Sequence, residues 1–213
     1  MGAQRSVRAP RRPTSEIRAL LVEAARELFV ANGYEATRIK EISLRAGVAE
    51  QLIFTNFGSK AGLFEAAVVE PFSEFVNDYI ASWGQDAPAS SFEERVGLFV
   101  ERLYALAEQD RKLLIYSVTR RMSGETSPEG DIPNRLATLL QTIQPVTMAE
   151  APEHGFPDPD PSLLIAASAA MILGMALLDD LLFPIGSTRP SRARITADLT
   201  TLLVNGFRPA NRS

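Results

Sequence analysis

The sequence predicts an all-α protein, with a three-helix DNA-binding domain of the helix-turn-helix type at the amino terminus and a larger helical domain after it. Glycine and proline residues divide the 213-residue chain into segments of helical length, and apolar residues recur at helical spacing within them. No segment alternates apolar and polar residues as a half-buried strand does. Residues 37–63 are typical of two short helices joined by a tight turn and followed by a third helix.

Residues 1–13 form a basic segment ahead of the first predicted helix. The segment contains no acidic residue, and its arginines are Arg5, Arg8, Arg11 and Arg12. We expect a disordered arm, and we expect neither a secretory signal nor a transit peptide because no apolar core follows the arginines. The arm is either a flexible terminus without a binding role or a segment whose arginines enter the DNA minor groove. We favour the second interpretation.

We place the DNA-binding domain at residues 14–65. Its first helix carries an apolar stripe that includes Leu21 and Leu28 and ends before Gly33. Such a helix would support the next two helices on the side that faces away from DNA.

The second helix is predicted to begin at Thr37, whose hydroxyl oxygen would accept a hydrogen bond from a free backbone N–H of the first turn. Ile39, Ile42 and Leu44 are expected to form its apolar side. At Gly47 the helix has to end and the chain has to turn, and glycine adopts the positive φ of such a position without strain. The third helix therefore leaves at an angle to the second.

The third helix is the expected recognition helix. The apolar residues predicted to anchor it in the domain core are Val48, Ile53, Phe54 and Phe57. The polar residues predicted to face outward, where they can contact base edges, are Glu50, Gln51, Thr55 and Asn56.

This pattern resembles the amino-terminal domain of the TetR family of transcriptional regulators. The resemblance covers residues 14–65 and rests on Thr37, Ile42, Ala46-Gly47-Val48, Ile53-Phe54, Phe57, Ser59-Lys60 and Leu63. It implies a homodimer that binds a palindromic operator in double-stranded DNA and releases it when a small-molecule effector binds. The residues expected at the DNA surface are Thr37, Arg38, Lys40, Glu50, Gln51, Leu52, Phe54, Thr55, Asn56 and Lys60.

Four residues around the recognition helix depart from the usual family pattern. Ala49 replaces a capping serine, Glu50 a neutral or basic residue, and Leu52 a frequent threonine. Phe54 replaces a tyrosine whose hydroxyl generally meets a phosphate. Glu50 can still accept a hydrogen bond from a cytosine amino group, and Leu52 can contact a thymine methyl group. The departures leave an alternative function open, that of a helical small-molecule binding protein or sensor with weakened DNA binding.

Basic residues concentrate at the predicted DNA-binding end of an acidic chain with net charge −4. Residues 1–60 hold ten Lys or Arg and six Asp or Glu, whereas residues 61–213 hold twelve and twenty. Neutralisation of phosphates by Lys and Arg supplies most of the non-specific affinity for DNA. The asymmetry therefore favours DNA contact at the amino-terminal end.

Ser59 and Lys60 are predicted to open a helix that runs to Pro71, where a separate helix would begin and continue to Trp83. The free N–H groups at the start of a helix, together with the Lys60 ammonium group, suit a backbone phosphate. We expect Lys60 to clamp a phosphate. The alternative is an exposed lysine on a short helix.

Residues 66–208 are predicted to form a helical effector-binding and dimerisation domain. Residues 92–109 and 113–122 carry apolar faces, and a further helix is expected after a cap at Asp131 and would bend or stop at Pro145. A pocket for a small organic molecule is mostly apolar with a few polar groups. The candidate effector-contact residues are Phe99, Leu103, Tyr104, Tyr116 and Met122, although such residues at helical spacing are more often simply core.

Residues 161–178 are uncharged and reach the lower length limit for a membrane span. We reject a span because the flanks are acidic and the centre is rich in Ala and Ser. This helix and an amphipathic helix over residues 191–205 resemble the pair through which TetR-family subunits dimerise. Asp179 and Asp180 are either surface caps or ligand contacts, and we favour surface caps. The candidate interface residues are Ala166, Ala170, Gly174, Ile195, Leu199 and Leu202.

The chain has no cysteine and one histidine, His154, which we expect to be an ordinary surface residue. Disulfides and thiolate catalysis are excluded, and a structural zinc site is not expected. Motifs for nucleotide use or hydrolysis are missing. We therefore predict a cytoplasmic transcriptional regulator, most consistent with a repressor, that uses no cofactor or metal. An enzyme built on a helical bundle ranks below the small-molecule sensor as an alternative.

Overall fold

The computed structural model describes residues 13–83, 91–124, 132–150, 160–184, 186 and 188–205, with only the backbone of 149 and 150. These residues form helices and no strand, which confirms the predicted all-α class. The helices are α1 (Thr14–Asn32), α2 (Ile39–Ala46), α3 (Gln51–Phe57), α4 (Lys60–Ala81), α5 (Phe92–Gln109), α6 (Arg111–Met122), α7 (Ile132–Gln141), α8 (Gln144–Glu150), α9 (Pro161–Leu177), α10 (Asp179–Leu182) and α11 (Arg192–Asn205).

Three predicted features lie outside the described residues. They are the arginines Arg5, Arg8, Arg11 and Arg12, the cap Asp131 and the histidine His154. The chain divides into two compact units, Met1–Ala67 and Val68–Ser213.

The first unit is built around α1, which packs against α2 and α3. Phe29 of α1, Ile42 of α2 and Ile53 of α3 are fully buried. The ring of Phe29 meets the ring of Phe64 edge-on, with 5.0 Å between centroids. Burial of these large side chains fixes the three helices against one another.

The turn at Gly47 forms as predicted, with φ 64° and ψ 35° in the left-handed region. The predicted cap at Thr37 is wrong. Thr37 is only 1% exposed, and its hydroxyl donates hydrogen bonds to the carbonyls of Gly33 (2.7 Å) and Leu28 (3.2 Å). The Glu41 carboxylate instead accepts from the backbone N–H that precedes α2. Thr37 therefore stabilises the connection between α1 and α2 by bonding it to the end of α1.

Leu44 was expected on the apolar side of α2, but it is 71% exposed. Ile42 and Ala46 lie four residues apart and share the buried face of the helix. Leu44 lies two residues from each of them and consequently points away from the core.

One continuous helix, α4, replaces the two helices expected to meet at Pro71. A proline inside a helix costs about 3 kcal/mol. Val68, Phe72 and Phe75 on either side of Pro71 are buried, and burying each such side chain contributes about 1.5–3 kcal/mol. The free energy gained by burying these apolar side chains therefore exceeds the cost of a proline inside the helix.

In the second unit α5 lies against both α9 and α11. The hydroxyl oxygen of Ser91 accepts from the Glu94 N–H, and the Glu94 carboxylate accepts from the Ser91 N–H, so the start of α5 is capped reciprocally. Pro145 does not stop α7, which has already ended. It is the second residue of α8, a position that tolerates proline.

Asp179 was expected to be a surface cap, but it is only 3% exposed. Its carboxylate forms ion pairs with Arg111 at the start of α6 and with Arg189 ahead of α11. Asp180 is exposed and pairs with Arg111 at 2.8 Å. A buried carboxylate needs such compensation because desolvation of an isolated charge is costly. Of the helices described, none combines the length and apolarity that crossing a bilayer demands.

Candidate DNA-binding surface and effector cavity

The predicted DNA-contact residues differ in their exposure. The exposed ones are Arg38, Lys40, Glu50, Gln51, Phe54 and Thr55. The half-buried ones are Leu52, Asn56 and Lys60. Thr37 is buried and commits its hydroxyl to main-chain carbonyls, so we no longer place it at the DNA surface.

Two polar side chains of α3 already bond to their own helix. The Thr55 hydroxyl donates to the carbonyl of Gln51 at 3.0 Å, and the Asn56 amide donates to the carbonyl of Leu52 at 2.7 Å. Glu50 and Gln51 lie at the start of α3 with exposed side chains. They are consequently better placed than Thr55 and Asn56 to meet a base edge.

Phe54 was expected both to anchor α3 and to lie at the DNA surface, and the structure shows it 51% exposed. Ile53 fills the core position, and one helical residue further the side chain points about 100° away. The expectation that Phe54 is a core anchor is therefore wrong. An exposed aromatic ring in the middle of α3 offers an apolar contact instead of the hydroxyl of a tyrosine.

Arg18 of α1 supports the end of α3, a role that the sequence did not reveal. Its guanidinium lies 4.4 Å from the centroid of the Phe57 ring, and it donates to the carbonyl of Asn56 at 3.3 Å. These residues are about forty positions apart in the chain, so only the folded structure brings them together. Arg45, in contrast, pairs with Glu27 at 2.6 Å, which reduces its availability to phosphate.

The start of α4 forms as predicted. The Ser59 hydroxyl oxygen accepts from the N–H of Gly62 at 3.0 Å. The Lys60 ammonium lies 4.3 Å from the centroid of the Tyr34 ring. Partial burial lowers the pKa of Lys60, and the nearby Glu35 carboxylate opposes this shift. The ring fixes the position of a cation at the first turn of a helix.

A cavity of about 80 Å³ lies within the second unit. One ordered water needs about 10–15 Å³, so the space admits part of an organic molecule. The described residues that line it are Tyr79, Phe92, Val96, Phe99, Ile143, Thr147, Met148, Leu164, Ile165, Ser168 and Leu203.

Of the five residues predicted to contact an effector, Phe99 lines this cavity. Leu103 and Tyr104 are fully buried core residues, Tyr116 packs beside Arg120, and Met122 is 83% exposed. The structure brings only Phe99 to this wall, and we do not propose the other four for it. Most of the lining comes from α8, α9 and α11, whose approach to α5 cannot be deduced from helical periodicity.

The predicted dimer residues also separate into two sets. Ile195 and Leu199 are buried within the protomer, so they are not available to a partner and we revise their assignment. Ala166, Ala170, Gly174 and Leu202 are exposed or partly exposed. Together with the exposed Leu163, Leu178, Leu181 and Leu182 they form what we call the apolar stripe. The members on α9, which are Leu163, Ala166, Ala170 and Gly174, follow one another at intervals of three or four residues, which places them along one face of that helix.

A comparison with protein families finds that residues 21–67 match the model described as "Bacterial regulatory proteins, tetR family". An uncharacterized helix-turn-helix transcriptional regulator of Bacillus subtilis is 47% identical over 55 residues, which is 26% of this chain and 28% of that relative. The chain spans half or less of the length of the curated relatives that it matches.

Solved structures show the same fold over nearly the whole chain. A TetR-family transcriptional regulator from Mesorhizobium loti superposes with a TM-score of 0.67 at 19% identity, covering 92% of this chain and 97% of its own. The transcriptional regulator FadR from Bacillus subtilis, in complex with stearoyl-CoA, superposes with a TM-score of 0.62 at 16% identity, covering 88% and 98%. The all-helical architecture beyond residue 67 is thus shared with these proteins.

Proposed function

We propose that this chain, which belongs to the TetR family of bacterial regulatory proteins, is a ligand-responsive transcriptional repressor that binds a palindromic DNA site as a homodimer. The observation that carries the proposal is the geometry of α2, Gly47 and α3. Ile53 is buried behind a short helix that holds Glu50, Gln51 and Phe54 open to solvent. A helix supported in this way fits the major groove.

The exposed residues suggest a division of roles on the DNA. Arg38, Lys40 and Lys60 are suited to phosphates, which position the protein without reading sequence. Glu50 and Gln51 are suited to base edges, since a carboxylate accepts from cytosine and an amide pairs with adenine. Phe54 and Leu52 would contact thymine methyl groups.

Dimerisation through the apolar stripe would supply the second recognition helix. A two-fold interface brings the same patch of each subunit together, and the stripe leaves many leucine side chains exposed in the isolated protomer. Two recognition helices spaced about 34–36 Å apart can occupy successive major-groove faces of a palindrome.

The cavity in the second unit supports an effector with a largely apolar body. A ligand that binds one conformation of the dimer more tightly shifts the equilibrium by that difference in affinity alone. FadR, which shares the fold, is described in complex with stearoyl-CoA, a molecule with a long apolar chain.

Footprinting of the purified protein on DNA flanking its own gene, at two salt concentrations, tests this function. We expect a symmetric protected site whose occupancy is lost when Arg38 and Lys40 are both replaced by Gln. A matched variant with Arg192→Gln and Arg194→Gln removes the same charge from α11 and should bind normally. Equally poor binding to specific and scrambled duplexes, even at low salt, would favour the alternative of a small-molecule sensor that lacks the tyrosine hydroxyl at position 54.

A further inference from the structure

The wall of the cavity offers a bound molecule no charged partner. Among its described lining residues none carries a formal charge near neutral pH. Arg95 of α5 stacks its guanidinium on the Trp83 ring, 4.7 Å from the ring centroid, and does not belong to this wall. Burying an ionised group without a partner costs far more than burying a neutral polar group that finds a hydrogen bond. The wall therefore disfavours ligands that carry a charge into the cavity.

Two of the three hydroxyl groups in the described wall already donate their protons. The Thr147 hydroxyl donates to the carbonyl of Ile143 at 2.7 Å, and the Ser168 hydroxyl donates to the carbonyl of Leu164 at 2.8 Å. Both bonds lie within a helical turn, where such hydroxyls often bond to the backbone. The third hydroxyl belongs to Tyr79, which is only 4% exposed.

The Tyr79 hydroxyl retains a proton that it can donate to a ligand. Burial raises the pKa of Tyr79, so the phenol stays protonated near neutral pH. Of the described residues, the hydrogen-bonding group that acts on this hydroxyl is the indole N–H of Trp83, which lies near it but outside hydrogen-bonding geometry. An indole N–H only donates, so it cannot accept the phenol proton. A buried donor without an acceptor is costly, and an oxygen atom of a ligand would remove this cost.

The wall beside Tyr79 suits a ring. The centroid of the Tyr79 ring lies 4.9 Å from that of Phe99, and Phe92 lines the same cavity. Aromatic side chains pack well against a further ring, either offset or edge-on. A cavity of about 80 Å³ holds roughly five to eight groups of the size of water, which corresponds to one ring with a short substituent.

Resting on the proposed function, we propose that the effector is a compact, uncharged carbonyl compound whose oxygen accepts a hydrogen bond from the Tyr79 hydroxyl. The uncharged wall selects against ions, and Tyr79 selects for the oxygen.

Four compounds that share a phenyl ring test this ligand class. Acetophenone carries the carbonyl group, ethylbenzene has a methylene group in its place, benzoate is an anion and benzylammonium is a cation. Isothermal titration calorimetry of the full chain, without DNA, gives a dissociation constant for each compound. We expect both ions to bind at least about tenfold more weakly than acetophenone, because their charge would lose its hydration in the cavity.

The contribution of Tyr79 is measured as the ratio of the affinities for acetophenone and ethylbenzene. Tyr79→Phe removes the donor and should lower this ratio about threefold to tenfold, as expected for the loss of one hydrogen bond. Tyr116→Phe removes a phenol hydroxyl that lies beside Arg120, outside the described wall, and should leave the ratio unchanged. Ser168→Phe fills the cavity and should weaken binding of acetophenone and ethylbenzene alike. Thermal unfolding of each variant checks that the fold is retained.

The inference is overturned if acetophenone does not bind, if either ion binds as tightly as acetophenone, if Tyr79→Phe leaves the ratio unchanged, or if folded Ser168→Phe binds normally. Its failure is distinguishable from failure of the proposed function. A sequence-specific footprint by a protein that does not bind acetophenone would reject only the ligand class. Acetophenone binding through Tyr79 by a protein that leaves all DNA unprotected would reject only the regulatory function.

Discussion

Gly62 lies so close to the carbonyl oxygen of Phe57 that a Cβ at position 62 would overlap this oxygen. The contact joins the end of α3 to the first turn of α4. The overlapping atom belongs to the backbone and cannot rotate away. The position of α3 relative to the first turn of α4 therefore depends on the absence of a side chain at position 62.

We predict that Gly62→Ala destabilises the protein by about 2 kcal/mol or more, because the backbone has to shift to relieve the overlap. Chemical unfolding followed by circular dichroism measures the effect. Gly97→Ala is the control, since its new methyl group would meet Thr200 at an ordinary 3.6 Å. This change within α5 should stabilise by about 0.5–1 kcal/mol. Equal stability of Gly62→Ala and wild type would contradict the prediction.

Asp179 and Asp180 are adjacent carboxylates in different environments. Asp179→Asn leaves Arg111 and Arg189 without their buried partner and should cost roughly 2 to 3 kcal/mol of unfolding free energy. Asp180→Asn alters a side chain that is largely exposed and should cost less than about 0.5 kcal/mol. Urea unfolding of the two variants measures both losses of unfolding free energy. Similar losses would show that the burial of Asp179 does not determine its contribution to stability.

Lys60 and Glu50 are predicted to affect DNA binding differently. Lys60→Gln should weaken binding to all sequences alike and reduce the slope of log K against log salt by about one, as expected for loss of a phosphate contact. Glu50→Gln should change which base is preferred at one position of each half-site. Binding to a library of half-site variants at several salt concentrations tests both. An unchanged salt slope for Lys60→Gln would exclude the phosphate clamp.

The apolar stripe makes a prediction about association. Leu163→Glu places a charge in the stripe and should weaken the dimer at least about tenfold. Leu98→Glu changes a similarly exposed leucine on α5, outside the stripe, and should leave the dimer intact. Sedimentation equilibrium gives both dissociation constants. Normal dimers with Leu163→Glu would place the subunit interface elsewhere.

Some features that depend on local chemistry were predictable from the sequence, although the cap expected at Thr37 does not form. Gly47 was identified because a sharp turn after a helix favours positive φ, and the helix start at Ser59 and Lys60 was expected from the resemblance to the TetR family. Predictions failed where contacts between residues that are distant in the sequence determine the structure. Pro71 lies inside α4 because buried neighbours on both sides outweigh the break. Phe54 is exposed because Ile53 takes the single core position available at that point of α3.

The cavity was the least predictable part. Phe99 could be picked from the apolar face of α5, but Ile165 and Leu203 lie opposite it only because α9 and α11 approach α5 at a particular rotation. Helical periodicity states which residues share a face and does not state which face meets which. The residues of an internal wall therefore have to be taken from the folded structure.

The enclosed position of the Asp179 carboxylate also determines what a salt titration of this protein reports. Mobile ions screen charges in open solvent over about 8–10 Å, but they screen partly buried pairs, such as those of Asp179 with Arg111 and Arg189, much less. Potassium chloride at concentrations that release Arg38 and Lys40 from a duplex should consequently leave the ion pairs of Asp179 intact. These pairs connect α10 to α6 through Arg111 and to the residues ahead of α11 through Arg189. A fall in operator affinity with ionic strength can then be assigned to the nucleic-acid contacts and not to loosening of the second unit.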